Sequence, residues 1–217
     1  MTEACVKLSS QAMWRLRSIL RNRRFFSAEK IIVQYKAKIF SFLECRTPVI
    51  DHASRNSLRV VDRIHDFLLR ELGMSRYEAL VHFNLAPLST RRDIAMLGLI
   101  HRTALKIGPP HFREFFKVSE SPPVNGHRFY MDIFRGFPDY ANRSALGLLR
   151  VYNALPSNFV EADSVKGFQF CLQEALKQGA SPDSDDWEFR WTTPIRLTEP
   201  ETFVEDVPRP RFDYDSD

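Results

Sequence analysis

The chain has 217 residues, of which 44% are hydrophobic and 18 are phenylalanines, enough for one large core. Only 8 residues are glycine, which argues against a turn-rich β-sandwich. No stretch reaches the ~18 uninterrupted apolar residues of a membrane span. Residues 1–10 also lack the apolar segment of a signal peptide. We therefore expect no membrane association and an intracellular protein, in the nucleus or the cytoplasm.

The net charge of +4 conceals an asymmetry between the two ends of the chain. Residues 1–46 contain ten basic and three acidic residues, a net charge of +7. Residues 181–217 contain eleven acidic and four basic residues, a net charge of −7. This asymmetry indicates either a polyanionic partner for the basic end or an acidic tail that folds back on it.

A first helix is predicted over residues 9–24, with a basic stripe of Arg17, Arg21 and Arg24 beside its apolar stripe. This basic stripe fits a row of phosphate contacts or a solvated charged face. Ser27 is predicted to cap a second helix over residues 28–46. If the two helices pack antiparallel, their basic rows flank a common groove. The candidate nucleic-acid contacts are Arg15, Arg17, Arg21, Arg23, Arg24, Lys30, Lys36 and Lys38.

Two further helices are predicted over residues 56–72 and 76–83, ended by Gly73 and begun by Ser75 respectively. The outward face of the longer one alternates in charge sign, which indicates a solvated surface with weak ion pairs. The three cysteines lie far apart and form no CxxC pair, so we expect reduced thiols rather than a zinc site.

The central helix is predicted to begin at Thr90 after an N-cap at Ser89 and to end before the glycine at position 108. It is apolar nearly all round its middle, which is typical of a buried helix. We expect His101 to be a hydrogen-bonded core residue rather than a ligand or base. Arg91 and Arg92 oppose the helix dipole in the first turn. They either lie in solvent or meet a phosphate or a carboxylate, and we favour solvation.

The remaining chain is predicted to contain a short helix over 110–116, an irregular aromatic-rich segment over 127–137 and an apolar patch over 146–156. A last helix covers 164–177. Within the patch, Tyr152 and Leu155 are expected to anchor a turn in the core. Beyond Ser181, acids and prolines predict little regular structure and much disorder. The aromatic residues there either dock on the core or form a short strand; they are Trp187, Phe189 and Trp191.

The predicted fold is therefore all-α: a helical bundle around a central buried helix in residues 1–180, followed by an acidic, largely disordered tail in residues 181–217. No catalytic residue, metal site or cofactor is expected. The acidic pair Asp185-Asp186 and the pair Asp213 and Asp215 lie in the tail, where no rigid platform would hold metal ions. The motifs of phosphate-binding loops, zinc proteases and serine hydrolases are absent from the sequence. A hydrolase built from scattered residues ranks far below the other interpretations.

A series of motifs runs in order through residues 10–178. They are Trp14-Arg15-Leu16, Leu20-Arg21-Asn22-Arg23-Arg24-Phe25-Phe26, Tyr35-Lys36, Phe42-Leu43-Glu44, the helix from Leu58 to Leu68, Leu85-Ala86-Pro87-Leu88-Ser89-Thr90-Arg91-Arg92-Asp93, Asn142-Arg143-Ser144, Tyr152-Asn153-Ala154-Leu155-Pro156 and Phe168. Together, and in this order, these segments resemble the C-terminal part of non-LTR (LINE-type) retrotransposon reverse transcriptases. In that family the region follows the catalytic palm and supplies the thumb and post-thumb helices.

The resemblance implies a basic helical face that contacts the backbone of RNA or of an RNA/DNA hybrid. The family's Tyr/Phe-x-Asp-Asp palm motif, fingers, CCHC knuckle and endonuclease domain are absent, and Tyr152 stands where tryptophan is usual. The chain is thus expected to be a non-catalytic remnant without reverse-transcriptase activity. The alternative is a helical structural or interaction module, or an inert product of a decayed element. Whether Met1 is a true start or lies inside a longer polymerase frame stays open, as does the oligomeric state.

Overall fold

The computed structural model describes residues 2–133, 138–193 and 196–197, and the fold is all-α, as predicted. Within these residues, β pairing is limited to the isolated bridges Val118–Met131 and Ser181–Ser184. The α-helices are α1 (Thr2–Leu20), α2 (Ala28–Tyr35), α3 (Ser41–Glu44), α4 (Thr47–Ile50), α5 (Arg55–Leu72), α6 (Arg76–Phe83), α7 (Leu88–Ala104), α8 (Asp139–Asn142), α9 (Leu149–Asn153), α10 (Ser157–Val160) and α11 (Val165–Gly179). Short 3₁₀ turns cover Arg23–Phe25, Pro110–Glu114 and Asp186–Phe189.

Helix α1 starts seven residues earlier than predicted, because its apolar stripe extends back through Leu8 and Cys5, which are both buried. The side chains of Thr2 and Ser57 are hydrogen-bonded at 2.9 Å, which fixes the start of α1 against α5. At its other end the helix stops at Leu20, and a 3₁₀ turn replaces the predicted last turn.

The predicted second helix is a continuous helical path, but it is not regular. Ser27 caps it as predicted, its hydroxyl accepting from the Lys30 N–H at 3.5 Å. A π-helical turn at Lys36–Phe40 separates α2 from α3. Such a turn inserts one residue into the helical repeat, so the side chains after it point in new directions.

Helices α5 and α6 match their predicted bounds within one residue. Gly73 ends α5 in the left-handed conformation with φ 64°. Ser75 caps α6 in a reciprocal arrangement: its hydroxyl accepts from the Glu78 N–H at 3.1 Å, and its own N–H donates to Glu78 Oε2 at 2.8 Å.

Helix α7 is the central buried helix. It contacts α4, α5, α9 and α11. Its buried apolar side chains belong to two clusters, Leu88 to the first and those from Ile94 to Ala104 to the second. Two boundary predictions were wrong. The helix begins at Leu88, whose side chain is buried in the first cluster, so Pro87 rather than Ser89 precedes it. After it ends, Lys106 rather than Gly108 adopts the left-handed conformation, with φ 62°.

His101 is a hydrogen-bonded core residue, as predicted. Its Nδ1 lies 3.0 Å from the Tyr152 hydroxyl and its Nε2 lies 3.0 Å from the Ala162 carbonyl oxygen. The imidazole also stacks on Phe168 with ring centroids 4.2 Å apart. Both predicted turn anchors, Tyr152 and Leu155, are buried.

The prediction that Arg91 and Arg92 are solvated was wrong. Arg92 is 5% exposed and donates two hydrogen bonds to Asp62, at 2.6 and 2.9 Å. Arg91 is paired with Glu44 at 2.6 Å. The acids of α5 and α3 are thus used to bind arginines of α7, and helical periodicity alone does not reveal such partners.

The folded part of the chain also extends beyond the predicted boundary at 180. Trp187 and Trp191 are buried in the second cluster, whereas Phe189 is 36% exposed. The Arg196 guanidinium lies between Asp51 and Asp93, 3.0 Å from a carboxylate oxygen of each. Residues 194–195 and 198–217 of the predicted tail, and residues 134–137 of the aromatic-rich segment, lie outside the described residues.

The buried charges around Arg196 predict an unusual pH dependence. Asp51, Asp62 and Asp93 surround two guanidinium groups, those of Arg92 and Arg196. Within this group the carboxyl groups outnumber the guanidinium groups by one. Burial raises the pKa of Asp93 from 3.8 to about 7, against the opposing effect of Arg196.

We expect the free energy of unfolding to fall by less than about 1 kcal/mol between about pH 6.5 and 8, with most of the fall complete by about pH 7.5. The folded state holds the Asp93 proton up to about pH 7, whereas the unfolded state releases it near the ordinary pKa of an aspartate, about 4. Stability is thus lost as the pH rises. Below pH 6.5, His65 acts in the opposite direction, because burial lowers its pKa to about 4.

Urea denaturation across this pH range measures the effect. Asp93→Asn should abolish the slope, since asparagine keeps the shape without the titrating proton. A wild-type stability that is flat or rises above pH 6.5 would contradict the assignment to Asp93.

Candidate nucleic-acid interface

Helix α1 and the helical path from α2 to α3 pack side by side, joined by the short connection of residues 21–27. Because the connection is short, the two run antiparallel and form a helical hairpin. An open groove of about 550 Å³ lies between them, called here the α1–α2 groove. Its lining residues are Trp14, Arg15, Ser18, Ile19, Ala37, Lys38, Ser41 and Phe42.

Two of the predicted contacts, Arg15 and Lys38, meet in this groove. Arg15 Nη1 donates to the Lys38 carbonyl oxygen at 3.5 Å, and its guanidinium lies 3.8 Å from the centre of the Phe42 ring. The Arg46 guanidinium lies 4.1 Å from the same ring. These cation–π contacts hold two positive charges beside the groove.

Five of the predicted contacts are exposed and have no ion pair within the part of the chain that the structure describes. We call this set the basic face of the hairpin; it comprises Arg17, Arg21, Arg24, Lys30 and Lys38. Of these, Lys38 lines the α1–α2 groove, whereas the other four do not. Arg24 lies over the exposed ring of Phe25, at 5.1 Å. Glu44, one of the few acids nearby in the sequence, is paired with Arg91 and so does not neutralise this face.

Two of the predicted contacts are already engaged by the protein. Arg23 forms an ion pair with Glu71 at the end of α5. The Lys36 ammonium donates to the Phe83 carbonyl oxygen at the C-terminal end of α6. Partial burial lowers the pKa of Lys36, as do the positive charges of Arg91 and Lys177. We therefore place Arg23 and Lys36 outside the basic face.

Sequence reasoning missed three residues beside the groove: Trp14, Phe42 and Arg46. Trp14 is 70% exposed, although tryptophan is usually at least partly buried. Trp14 lies outside the apolar stripe of α1, so the sequence pattern could have predicted that its side chain is exposed. Phe42 is half-buried under the two guanidinium groups.

Within the described ranges, no group of three histidine, cysteine, aspartate or glutamate side chains is arranged to hold a metal ion. None of the helices in those ranges combines the length and the apolar character needed to traverse a bilayer. All three cysteines are unpaired.

Comparison with protein-family models, curated proteins and solved structures gave no match. The resemblance to LINE-type reverse transcriptases therefore depends on the motifs in the sequence, and the interface depends on the geometry described above.

Proposed function

We propose that the chain is a non-catalytic nucleic-acid-binding module, similar to the thumb and post-thumb region of LINE-type reverse transcriptases. Its basic face binds the sugar–phosphate backbone of RNA or of an RNA/DNA hybrid. The observation that carries this proposal is the group of five exposed cations on one helical hairpin, none of them neutralised by an acid among the described residues. Cations in such an arrangement bind phosphates through charge and release counterions, without reading base sequence.

The hairpin is a rigid platform for these cations. Leu16 and Ile19 of α1 and Ile31 and Ile39 of the second helical path are all buried in the first core cluster. The backbone beneath the basic face is thus held by packing, while the long cationic side chains remain free to adjust. This arrangement supports binding to a regular backbone rather than to a single small anion.

Binding of a labelled single-stranded RNA and of an RNA/DNA hybrid, followed by fluorescence anisotropy, tests the proposal. Five phosphate contacts predict a slope of about −3 to −5 in log K against log salt, over about 50 to 200 mM salt. No binding at the lowest salt, or affinity independent of salt, would overturn it.

The proposal includes the absence of polymerase chemistry from this chain. The palm motif of the resembling family is missing from the sequence. In a primer-extension assay with Mg²⁺ or Mn²⁺ we expect no product above background. Extension of the primer would show that the residues needed for nucleotidyl transfer had been overlooked.

A helical interaction module without a nucleic-acid role is the second candidate function. The same hairpin exposes apolar side chains, notably Phe25 at 71% and Val33 at 66%, and exposed apolar surface is typical of protein–protein contacts. This alternative predicts no RNA or DNA binding at physiological salt, and the same anisotropy titration separates it from the first.

A further inference from the structure

We propose that Trp14 and the α1–α2 groove form a stacking site for unpaired bases, so that the protein prefers single-stranded nucleic acid to duplex. This inference rests on the proposed function and deepens it. The basic face accounts for backbone binding, whereas the indole ring adds a contact that only an accessible base can make.

Trp14 presents its ring at the edge of an open slot. Its side chain is 70% exposed, and the neighbouring groove residues Ser18, Ala37 and Ser41 are small and exposed. Small side chains on both helices leave the space beside the indole unfilled. A flat ring can therefore enter without displacing a large side chain.

Positive charge surrounds this slot where a phosphate next to the stacked base would lie. The Arg15 guanidinium is held in place by Phe42 and by the Lys38 carbonyl oxygen, and the Lys38 ammonium is exposed on the opposite helix. An aromatic platform beside a cationic groove is how proteins bind single strands without sequence preference.

The π-helical turn at Lys36–Phe40 contributes to the shape of the groove. It contains Ala37 and Lys38, and the Ser41 hydroxyl donates to the Ala37 carbonyl oxygen at 2.6 Å. Because the turn inserts a residue into the repeat, it changes the directions of the side chains that follow it. Turns of this type occur often at functional sites.

The chemistry of the groove favours a nucleic-acid strand over an acidic peptide or a duplex. All three ligands carry negative charges that the cations can bind. An acidic peptide without aromatic residues, however, offers no ring to stack on Trp14. In a duplex the base faces are covered by their neighbours. An unpaired strand satisfies the cations and the indole together.

The test compares a single-stranded oligonucleotide with an abasic strand of equal length and charge, for wild type and Trp14→Ala. We expect Trp14→Ala to weaken the base-bearing strand about 10-fold and the abasic strand by less than about 2-fold. Trp14→Phe should keep most of the affinity, because phenylalanine retains a ring. Phe170→Ala is the matched control, since Phe170 is 66% exposed but lies on α11, and it should change neither affinity.

Tryptophan fluorescence gives a second measurement on the unmodified protein. Trp187 and Trp191 are each 6% exposed, so quenching by a bound strand reports mainly on Trp14. The base-bearing strand should quench the emission, and the abasic strand should not.

The possible failures are distinguishable. If wild type binds both strands and Trp14→Ala lowers both affinities equally or neither, the stacking site is wrong while backbone binding stands. The stacking site would also be wrong if duplex and single strand bound with equal affinity, or if a poly-glutamate peptide quenched the tryptophan emission as much as the base-bearing strand does. If wild type binds no strand at all, the proposed function itself fails.

Discussion

Replacing Arg196 with methionine is expected to lower the free energy of unfolding by about 3–5 kcal/mol, the usual cost of removing one partner from a buried ion pair. Arg196 donates to Asp93 and Asp51 at 3.0 Å each and to the Arg143 carbonyl oxygen at 2.7 Å. Both carboxylates are almost fully buried. Without the guanidinium, the buried carboxyl groups of Asp51 and Asp93 would lose their shared hydrogen-bond donor and counter-charge, and the segment after α11 would lose one of its anchors.

Urea denaturation of Arg196→Met at neutral pH measures this cost. Lys177→Met is the matched control, because it removes a surface ion pair with Glu174, and it should cost less than about 1 kcal/mol. Adding Asp93→Asn to Arg196→Met should recover part of the loss by removing one uncompensated charge. A loss for Arg196→Met no larger than that of the control would show that Arg196 does not hold this part of the fold.

Reversing four cations of the basic face to glutamate is expected to lower RNA affinity about 100-fold or more at low salt. The four substitutions are Arg17→Glu, Arg21→Glu, Arg24→Glu and Lys38→Glu. Each one removes a phosphate contact and places a negative charge beside the strand. The salt slope should become shallower by a value of roughly 3 to 4 for the same reason.

A second quadruple variant separates local contacts from the overall charge of the protein. It reverses four exposed cations outside the hairpin, by the same change in net charge: Arg102→Glu, Lys117→Glu, Arg150→Glu and Lys166→Glu. If the basic face is the binding surface, this variant should lose less than about 5-fold, through long-range electrostatics alone. Equal losses in the two variants would mean that binding is not localised to the hairpin.

The helices themselves were largely predictable from the sequence, because their signals are local. Periodicity together with the cap Ser75 and the terminator Gly73 places α5 and α6 within one residue of their observed bounds, and periodicity places α11 within two. The start of α7 was less predictable. Ser89 is a good capping residue, but the helix begins one residue before it because the Leu88 side chain is buried in the core.

The ion pairs of the core were not predictable, because their partners are distant in sequence. Asp62 and Arg92 are 30 residues apart, and Asp51 and Arg196 are 145 apart. The composition beyond residue 180, acidic and rich in proline, predicted disorder. The alternative that its aromatic residues dock on the core is confirmed for Trp187 and Trp191, whereas the buried Arg196 that also binds this segment to the core was not predicted.

The candidate interface was predictable in part. The spacing of Arg17, Arg21 and Arg24 predicted an exposed basic stripe, and all three are exposed. The groove required knowledge of how the two helices pack, and Lys36 was misplaced because its partner, the Phe83 carbonyl oxygen, lies on another helix. The groove also depends on a π-helical turn for which no local sequence signal was found.

Lysine acetylation, quantified by mass spectrometry with and without single-stranded RNA, locates the bound strand most directly. Lys30 and Lys38 are exposed on the hairpin, whereas Lys117 and Lys166 are exposed elsewhere. RNA should protect Lys30 and Lys38 from acetylation and leave Lys117 and Lys166 as reactive as in the free protein. Protection of Lys117 or Lys166 without protection at Lys30 and Lys38 would place the strand on another surface and contradict a nucleic-acid interface on the α1–α2 hairpin.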